Sequence, residues 1–155
     1  YSSPKQIAGT TWNRAYASAS SVIAFKNDPY DTNSTNKKMF IWGNNSGGVI
    51  GQNGPDNVTF SSPIQMTGDW QSTSAGFPQG GAAWMVLKGD GRLYGCGNAK
   101  DSNMGNFNHV IDDGNPSPFI SSPIQLGGTF WKRGSIQGGA NGGMAIKQDM
   151  SQNDV

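Results

Sequence analysis

A chain that does chemistry shows it first in its histidines, cysteines and carboxylates. This one has a single His, a single Cys and ten acidic residues, all of them Asp. His109 sits in the polar stretch NFNHVIDDGNPSP, beside Asp112 and Asp113. A serine hydrolase needs a histidine to take the nucleophile's proton and a carboxylate to orient that histidine. The GxSxG turn that would present the serine is absent, so these residues read as an exposed loop. Zinc needs three or four nitrogen or sulfur ligands. One His, together with Cys96 on an expected strand, does not supply them. Paired carboxylates for glycoside cleavage would have to be Asp28 with Asp31, or Asp112 with Asp113. Both pairs lie among Asn, Ser and Pro, where Asp commonly serves turns. DPYDTN offers oxygen donors to Ca²⁺ but lacks the spacing of an EF-hand loop. GGANGGM has neither the lysine nor the setting of a phosphate-binding loop. No catalytic site, metal or cofactor is expected, and the chain reads as a non-enzyme.

The elements that would position any site follow from composition. Gly accounts for 23 of the 155 residues, and charged residues for only 14%. Glu is absent, and Leu, Lys and Arg are few, so the strong helix formers are scarce. Gly, Asn, Ser and Thr suit turns and short strands. The expected fold class is all-β. The net charge of +1 gives no electrostatic footprint for nucleic acid or for an anionic membrane surface. No apolar run is long enough to span a membrane as a helix. A lone thiol cannot form an internal disulfide, so cysteine usage does not report the compartment. The sequons at Asn33, Asn44 and Asn57 arise readily in so Asn- and Ser-rich a chain. A chain starting at Tyr1 rather than Met is expected to be a processed product or a piece of something longer.

Internal repeats organise the sequence. SSPIQMTGDW ends at Trp70, SSPIQLGGTFW at Trp131, and SSPKQIAGTTW at Trp12. Pro4, Pro63 and Pro123 are thus 59 and 60 residues apart. Each Trp is followed by a short apolar run ending in Lys: VIAFK to Lys26, AWMVLK to Lys88 and GMAIK to Lys147. In WMVLKGDGRLYGCG the GDG supplies a tight turn between two strands, a hairpin signal. The first unit carries a polar insertion over residues 27–37 at that place. WGNNSGGVIGQ and GCGNAKDSNMG then align, with Gly43 against Gly97. The units run over about 1–59, 60–119 and 120–155, the last incomplete. Each has room for roughly four short strands. Four-stranded units in tandem suggest the blades of a β-propeller, about two and a half of them in one domain over residues 1–155. Proline at the head of each unit suits a strand start. Trp12, Trp70 and Trp131 suit packing between blades.

The repeat resembles that of the regulator of chromosome condensation family. The matching residues are Ser61, Ser62, Pro63, Trp70, Asp90, Gly91, Gly97 and Asn98 in the second unit. In the first they are Trp42, Gly43, Asn45, Gly47 and Gly51. The resemblance covers essentially the whole chain and implies a closed ring of about seven blades. The chain departs from it in having longer units, and in reading Tyr94-Gly95-Cys96 where an aromatic directly before Gly is usual. Two and a half units also cannot close a ring, which leaves sheet edges and an apolar flank open. The expectation is a piece of a longer propeller, or one completed by neighbouring chains.

The resemblance implies nucleotide exchange on a small nuclear GTPase or chromatin binding as one functional reading. No exchange residues can be matched, and the chain is nearly neutral. The composition (no Glu, little charge, much Asn, Gly, Ser and Thr) resembles virion and cell-surface β proteins. The expected function is therefore a structural or binding module of a virion or cell surface, in assembly or host attachment. Its partners would be proteins, other copies of itself or a host-surface receptor, and no nucleic acid. A fragment of an exchange or chromatin-binding propeller is the alternative. The loops 27–37 and 106–119 break the repeat and are expected to carry partner contacts, with Tyr30 and Asp31 as the residues in the first.

Overall fold

The structure, a computed structural model, describes residues 3–28, 30, 36–77, 83–99, 119–139 and 142–148. Among them are ten strands, a 3₁₀ turn at Ser46–Gly48 and no α-helix. Strands β1 (Trp12–Ala17), β2 (Ser21–Lys26), β3 (Asn36–Asn44) and β4 (Thr59–Gln65) form one antiparallel meander. A second contains β5 (Trp70–Gly76), β6 (Ala83–Lys88), β7 (Leu93–Asn98) and β8 (Phe119–Leu126). Two paired residues link them: Asn36 lies opposite Gln71 and Lys37 opposite Trp70. A third unit begins where Trp131 bridges Lys147. The short hairpin of β9 (Gln137–Gly139) and β10 (Gly142–Met144) lies between those two residues. The architecture is all-β and consists of propeller blades that do not form a complete ring.

Burial explains the strand sequences. AWMVLK of β6 is a nearly continuous apolar run, as a strand covered on both faces must be, while SVIAFK of β2 buries Ile23 and Phe25 on one face and leaves Val22 on the other half-buried. In β6, Trp84 and Val86 turn toward the first blade, where they meet Ile23, Phe25, Met39 and Ile41. Met85 and Leu87 turn the other way, into a second cluster with Leu93, Ile120, Leu126 and Ile136. The middle blade is therefore packed on both sides. WNRAYA of β1 is polar and largely exposed, as an edge strand should be. The GDG turn closes β6 onto β7. The Lys88 N–H donates to the Arg92 carbonyl at 2.8 Å, and Gly91 takes φ +82°.

The hydrogen bonding corrects how the repeated SSPxQ motif is placed. It was expected to open each blade at a strand start. Instead β4 and β8, which contain it, pair back onto β3 and β7 and close the preceding blade. Pro63 and Pro123 lie inside these strands. The register shifts between Ile41 and Gly43, and again between Gly95 and Gly97, so each proline faces a bulge. A bulge on an edge strand is where a residue without an N–H costs the ladder nothing. Gly43 and Gly97 complete the bulges with φ +117° and +108°. Pro4, in the first copy of the motif, is exposed and outside any strand.

Candidate functional site

Three repeated clips set the geometry of the blades. In each, the repeated Trp lies opposite the Lys that ends the following apolar run: Trp12 with Lys26, Trp70 with Lys88, Trp131 with Lys147. The Lys26 ammonium is 4.3 Å from the Trp12 ring centroid. The Lys88 ammonium is 5.1 Å from Trp70 and 4.4 Å from Tyr94. Such cation–π contacts contribute about 0.5–1 kcal/mol at exposed sites and more when desolvated. A glycine of positive φ precedes each Trp, namely Gly9, Gly68 and Gly128, and the same lysine passes over it. The indole N–H groups of Trp12, Trp70 and Trp131 are all buried without a hydrogen-bond acceptor. The threefold recurrence makes this a property of the repeat.

The clips place the first strands of successive blades side by side. The Tyr16 hydroxyl donates to the Ser72 carbonyl at 2.8 Å, tying β1 to β5. The Gly134 N–H donates to Ser74 Oγ at 2.6 Å, tying the third unit to β5. Gly76 and Gly138 let the backbones approach closely: a Cβ at Gly138 would lie 2.3 Å from the Phe77 carbonyl carbon. Between β1, β5, the start of β3 and the turn at Arg133 lies a cavity of about 420 Å³, lined by Asn13, Arg14, Lys37, Gln71, Ser72, Thr73 and Arg133. Three of those side chains are cationic and none is a carboxylate. Gln71 is held by its amide, which donates to Asn36 Oδ1 at 2.7 Å.

A second surface lies on the outer face of the first blade. Ile7, Trp12, Val22, Ala24 and Trp42 line an apolar groove of about 500 Å³. By repeat position these residues answer to Met66, Trp70, Trp84, Val86 and Cys96 of the second unit, all in the core cluster shared with the first blade. On that buried face the Trp84 indole donates to the Val49 carbonyl at 2.7 Å. The loop supplying Val49 is fixed by Asn45. Its Oδ1 accepts the Ile50 N–H at 2.9 Å, and its amide donates to the Pro55 carbonyl at 2.8 Å.

Tyr30 is 98% exposed, and its N–H donates to Asp28 Oδ1 at 2.9 Å. The Asp28 carboxylate also lies 3.5 Å from Lys38 Nζ, which meets Asp69 at 2.6 Å. Asp28 thus joins an ion-pair cluster, and these contacts hold the Lys38 ammonium above its usual range, the Asp69 hydrogen bond foremost. Asp31, His109, Asp112 and Asp113 lie outside the described residues. Asp90 caps the hairpin turn by accepting the Arg92 N–H at 3.1 Å. Among the described residues no three His, Cys or Asp side chains gather as metal ligands would. No described helix is long and apolar enough to cross a membrane. Sequence reasoning did not single out Arg14 or Arg133, and it reached Lys37 only as the last residue of the loop 27–37. The available signal was positional, since Arg14 and Arg133 each stand two residues after the repeated Trp.

No family model matches the chain, and no curated protein matches it in sequence. Solved structures do. Prp20p from Saccharomyces cerevisiae, whose crystal structure was described with its binding to Gsp1p and histones, superposes with a TM-score of 0.66 at 18% identity. The match covers 89% of this chain and 31% of that one. Yeast RCC1 (Prp20) bound to Kap60 gives a TM-score of 0.57 at 17% identity, over 88% of this chain and 30% of that one. Human WBSCR16 gives 0.58 at 16% identity, with the same coverages of 88% and 30%. At these identities the likeness is one of fold: the chain has the β-propeller fold of these proteins and spans just under a third of their length.

Proposed function

We propose that this chain is a non-enzymatic, protein-binding segment of a β-propeller. It acts as one unit of about two and a half repeats, inside a ring completed by further blades or by other copies. The observation that carries this reading is the open face of the first blade. Its apolar row of Trp12, Val22, Ala24 and Trp42 is equivalent to the row the second blade buries. An apolar row only partly covered here, where its counterpart in the second blade is buried, marks an interaction surface.

Among propellers, a segment of the exchange-factor or chromatin-binding type is better supported than a virion or host-attachment part. Its structural neighbours include a protein described as binding Gsp1p, histones and Kap60. The virion reading, with its surface location and host receptor, rests on composition alone. Near-neutral charge favours protein partners over the phosphate backbone of DNA. The segments 27–35 and 106–118, which lead into β3 at Asn36 and β8 at Phe119 and lie mostly outside the described residues, are the proposed contact surfaces, with fully exposed Tyr30 and its neighbour Asp31 in the first.

The test is the native mass of the isolated chain, by light scattering or sedimentation. The expected result is self-association in proportion to concentration. A compact monomer, stable to dilution and without exposed apolar surface by dye binding, would overturn the proposal.

A further inference from the structure

We infer that the apolar groove of the first blade is the docking site for the third unit of a second copy of this chain, joined head to tail. The inference rests on the reading of the chain as a protein-binding propeller segment and names the occupant of one face. Three observations carry it. First, the chain already makes this junction twice. Ile23 and Phe25 of β2 pack in one cluster with Trp70, Trp84 and Val86 of the second blade. One unit on, Met85 and Leu87 of β6 cluster with Leu126 and Ile136, and Trp131 and Ala145 of the third unit pack against them. Each junction sets an alternating pair, from the strand that ends in Lys, against the Trp-bearing row of the next unit.

Second, the third unit presents the same alternating pair to solvent. GGMAIK aligns with AWMVLK and SVIAFK, so Met144 stands at the position of Met85 and Ile23, and Ile146 at that of Leu87 and Phe25. The four earlier residues are buried, whereas Met144 is 71% exposed and Ile146 is 58% exposed. Single apolar side chains scattered over a surface are ordinary. Two together, at positions the fold buries in both earlier units, form the outward half of a further junction.

Third, the matching inward half is on the same chain. Ile7, Trp12, Val22, Ala24 and Trp42 line the groove of about 500 Å³. Ile7 is exposed, and Trp12, Val22 and Trp42 are half-buried. The second blade stands between the two faces and is packed on both sides, so one chain cannot bring them together. A second copy can, and the contact then continues the packing already present inside each chain. Because the two faces differ, the interface is heterologous: every docked copy still offers one face of each kind, and association proceeds until a ring closes or a filament grows.

The experiment uses the full chain and two blocked variants, followed by sedimentation velocity. Val22→Arg places a charge in the groove, and Met144→Arg/Ile146→Arg places two on the opposite face. The wild type should associate beyond the dimer as its concentration rises. Each variant alone should associate about tenfold or more weakly, because an unpaired charge would have to be buried. An equimolar mixture of the two should regain the wild-type affinity but stop at the dimer, since each pair keeps one open groove and one open end face, already joined. A symmetric contact through a single face would instead leave one variant self-associating in full. Circular dichroism checks the strands of each variant, and Ile7→Arg, outside any strand, serves where Val22→Arg does not fold. If the wild type self-associates but either variant does so undiminished, or the mixture stays as weak as its parts, this docking is overturned and the broader reading stands. A wild type that remains monomeric at every concentration overturns both.

Discussion

Cys96 lies at the junction of the first two blades, with Sγ 2.8 Å from the Ile120 carbonyl and 3.4 Å from that of Gly48. Burial pushes its thiol up to about 12, against a smaller downward pull from the backbone at Gly97. The thiolate, not the thiol, is the reactive form. Cys96 in the folded chain should therefore react with an aromatic disulfide reagent only as fast as the blades open. The sign of its pH effect follows. In the unfolded chain the thiol loses its proton near pH 9, whereas in the folded chain it keeps it until about pH 12. The unfolded state then binds fewer protons, so stability falls as pH rises between those values. The urea midpoint should be lower at pH 10 than at pH 8, and Cys96→Ala should show a smaller drop. An equal drop in both proteins would assign the effect to other groups.

At the scale of the element, the repeat is held by strands that bulge at a fixed place. The bulges let β3 and β7 accept a fourth strand that contains proline, and glycine makes them possible. Gly43, at φ +117°, has no room for a side chain, since a Cβ would lie 2.3 Å from the Ser20 carbonyl oxygen. Gly91, at φ +82° in the hairpin turn, has nothing within 4 Å of that position. The two glycines separate backbone strain from steric clash. Gly91→Ala should cost about 1 kcal/mol, the penalty of left-handed backbone alone. Gly43→Ala should cost about 3 kcal/mol or more, because the strand must move as well. Denaturant titration of the two variants checks the difference, and similar losses would mean the bulge yields easily.

Over the whole molecule, equivalent residues lie in unequal surroundings. Trp70 is 1% exposed and packs edge-on against Trp84 and Tyr94, with centroids 6.0 and 5.8 Å away. Trp12 has the same place in the repeat and the same lysine clip, but it borders the open groove. Trp70→Ala should therefore cost about 3–5 kcal/mol, the range for a large aromatic lost from a core. Trp12→Ala should cost well under half of that in the isolated chain. Inside a completed ring the two losses should converge, because a further blade would bury Trp12 as the first blade buries Trp70. Unfolding of both variants, with and without a ring-completing partner, measures this. Equal losses in the isolated chain would mean that the groove is already covered.

The fold class and the tandem units were legible in the sequence. Scarce helix formers and abundant turn residues excluded helices. The threefold Pro, Trp and Lys spacing marked units that recur because each must pack on the next. The GDG hairpin was legible too, because glycine and aspartate act on the backbone locally. The phase of the blades was not. Whether SSPxQ opens one sheet or closes another depends on which strand it hydrogen-bonds, and that pairing joins residues well apart in the chain, from Asn44 with Thr59 to Leu93 with Leu126. Nor could the sequence show that Arg14, Lys37 and Arg133 share one cavity. Their meeting depends on the angle at which three blades stand side by side, which the packing of Trp84, Met85 and their neighbours fixes. Local chemistry wrote the repeat into the chain, and long-range packing decided what the repeats bring together.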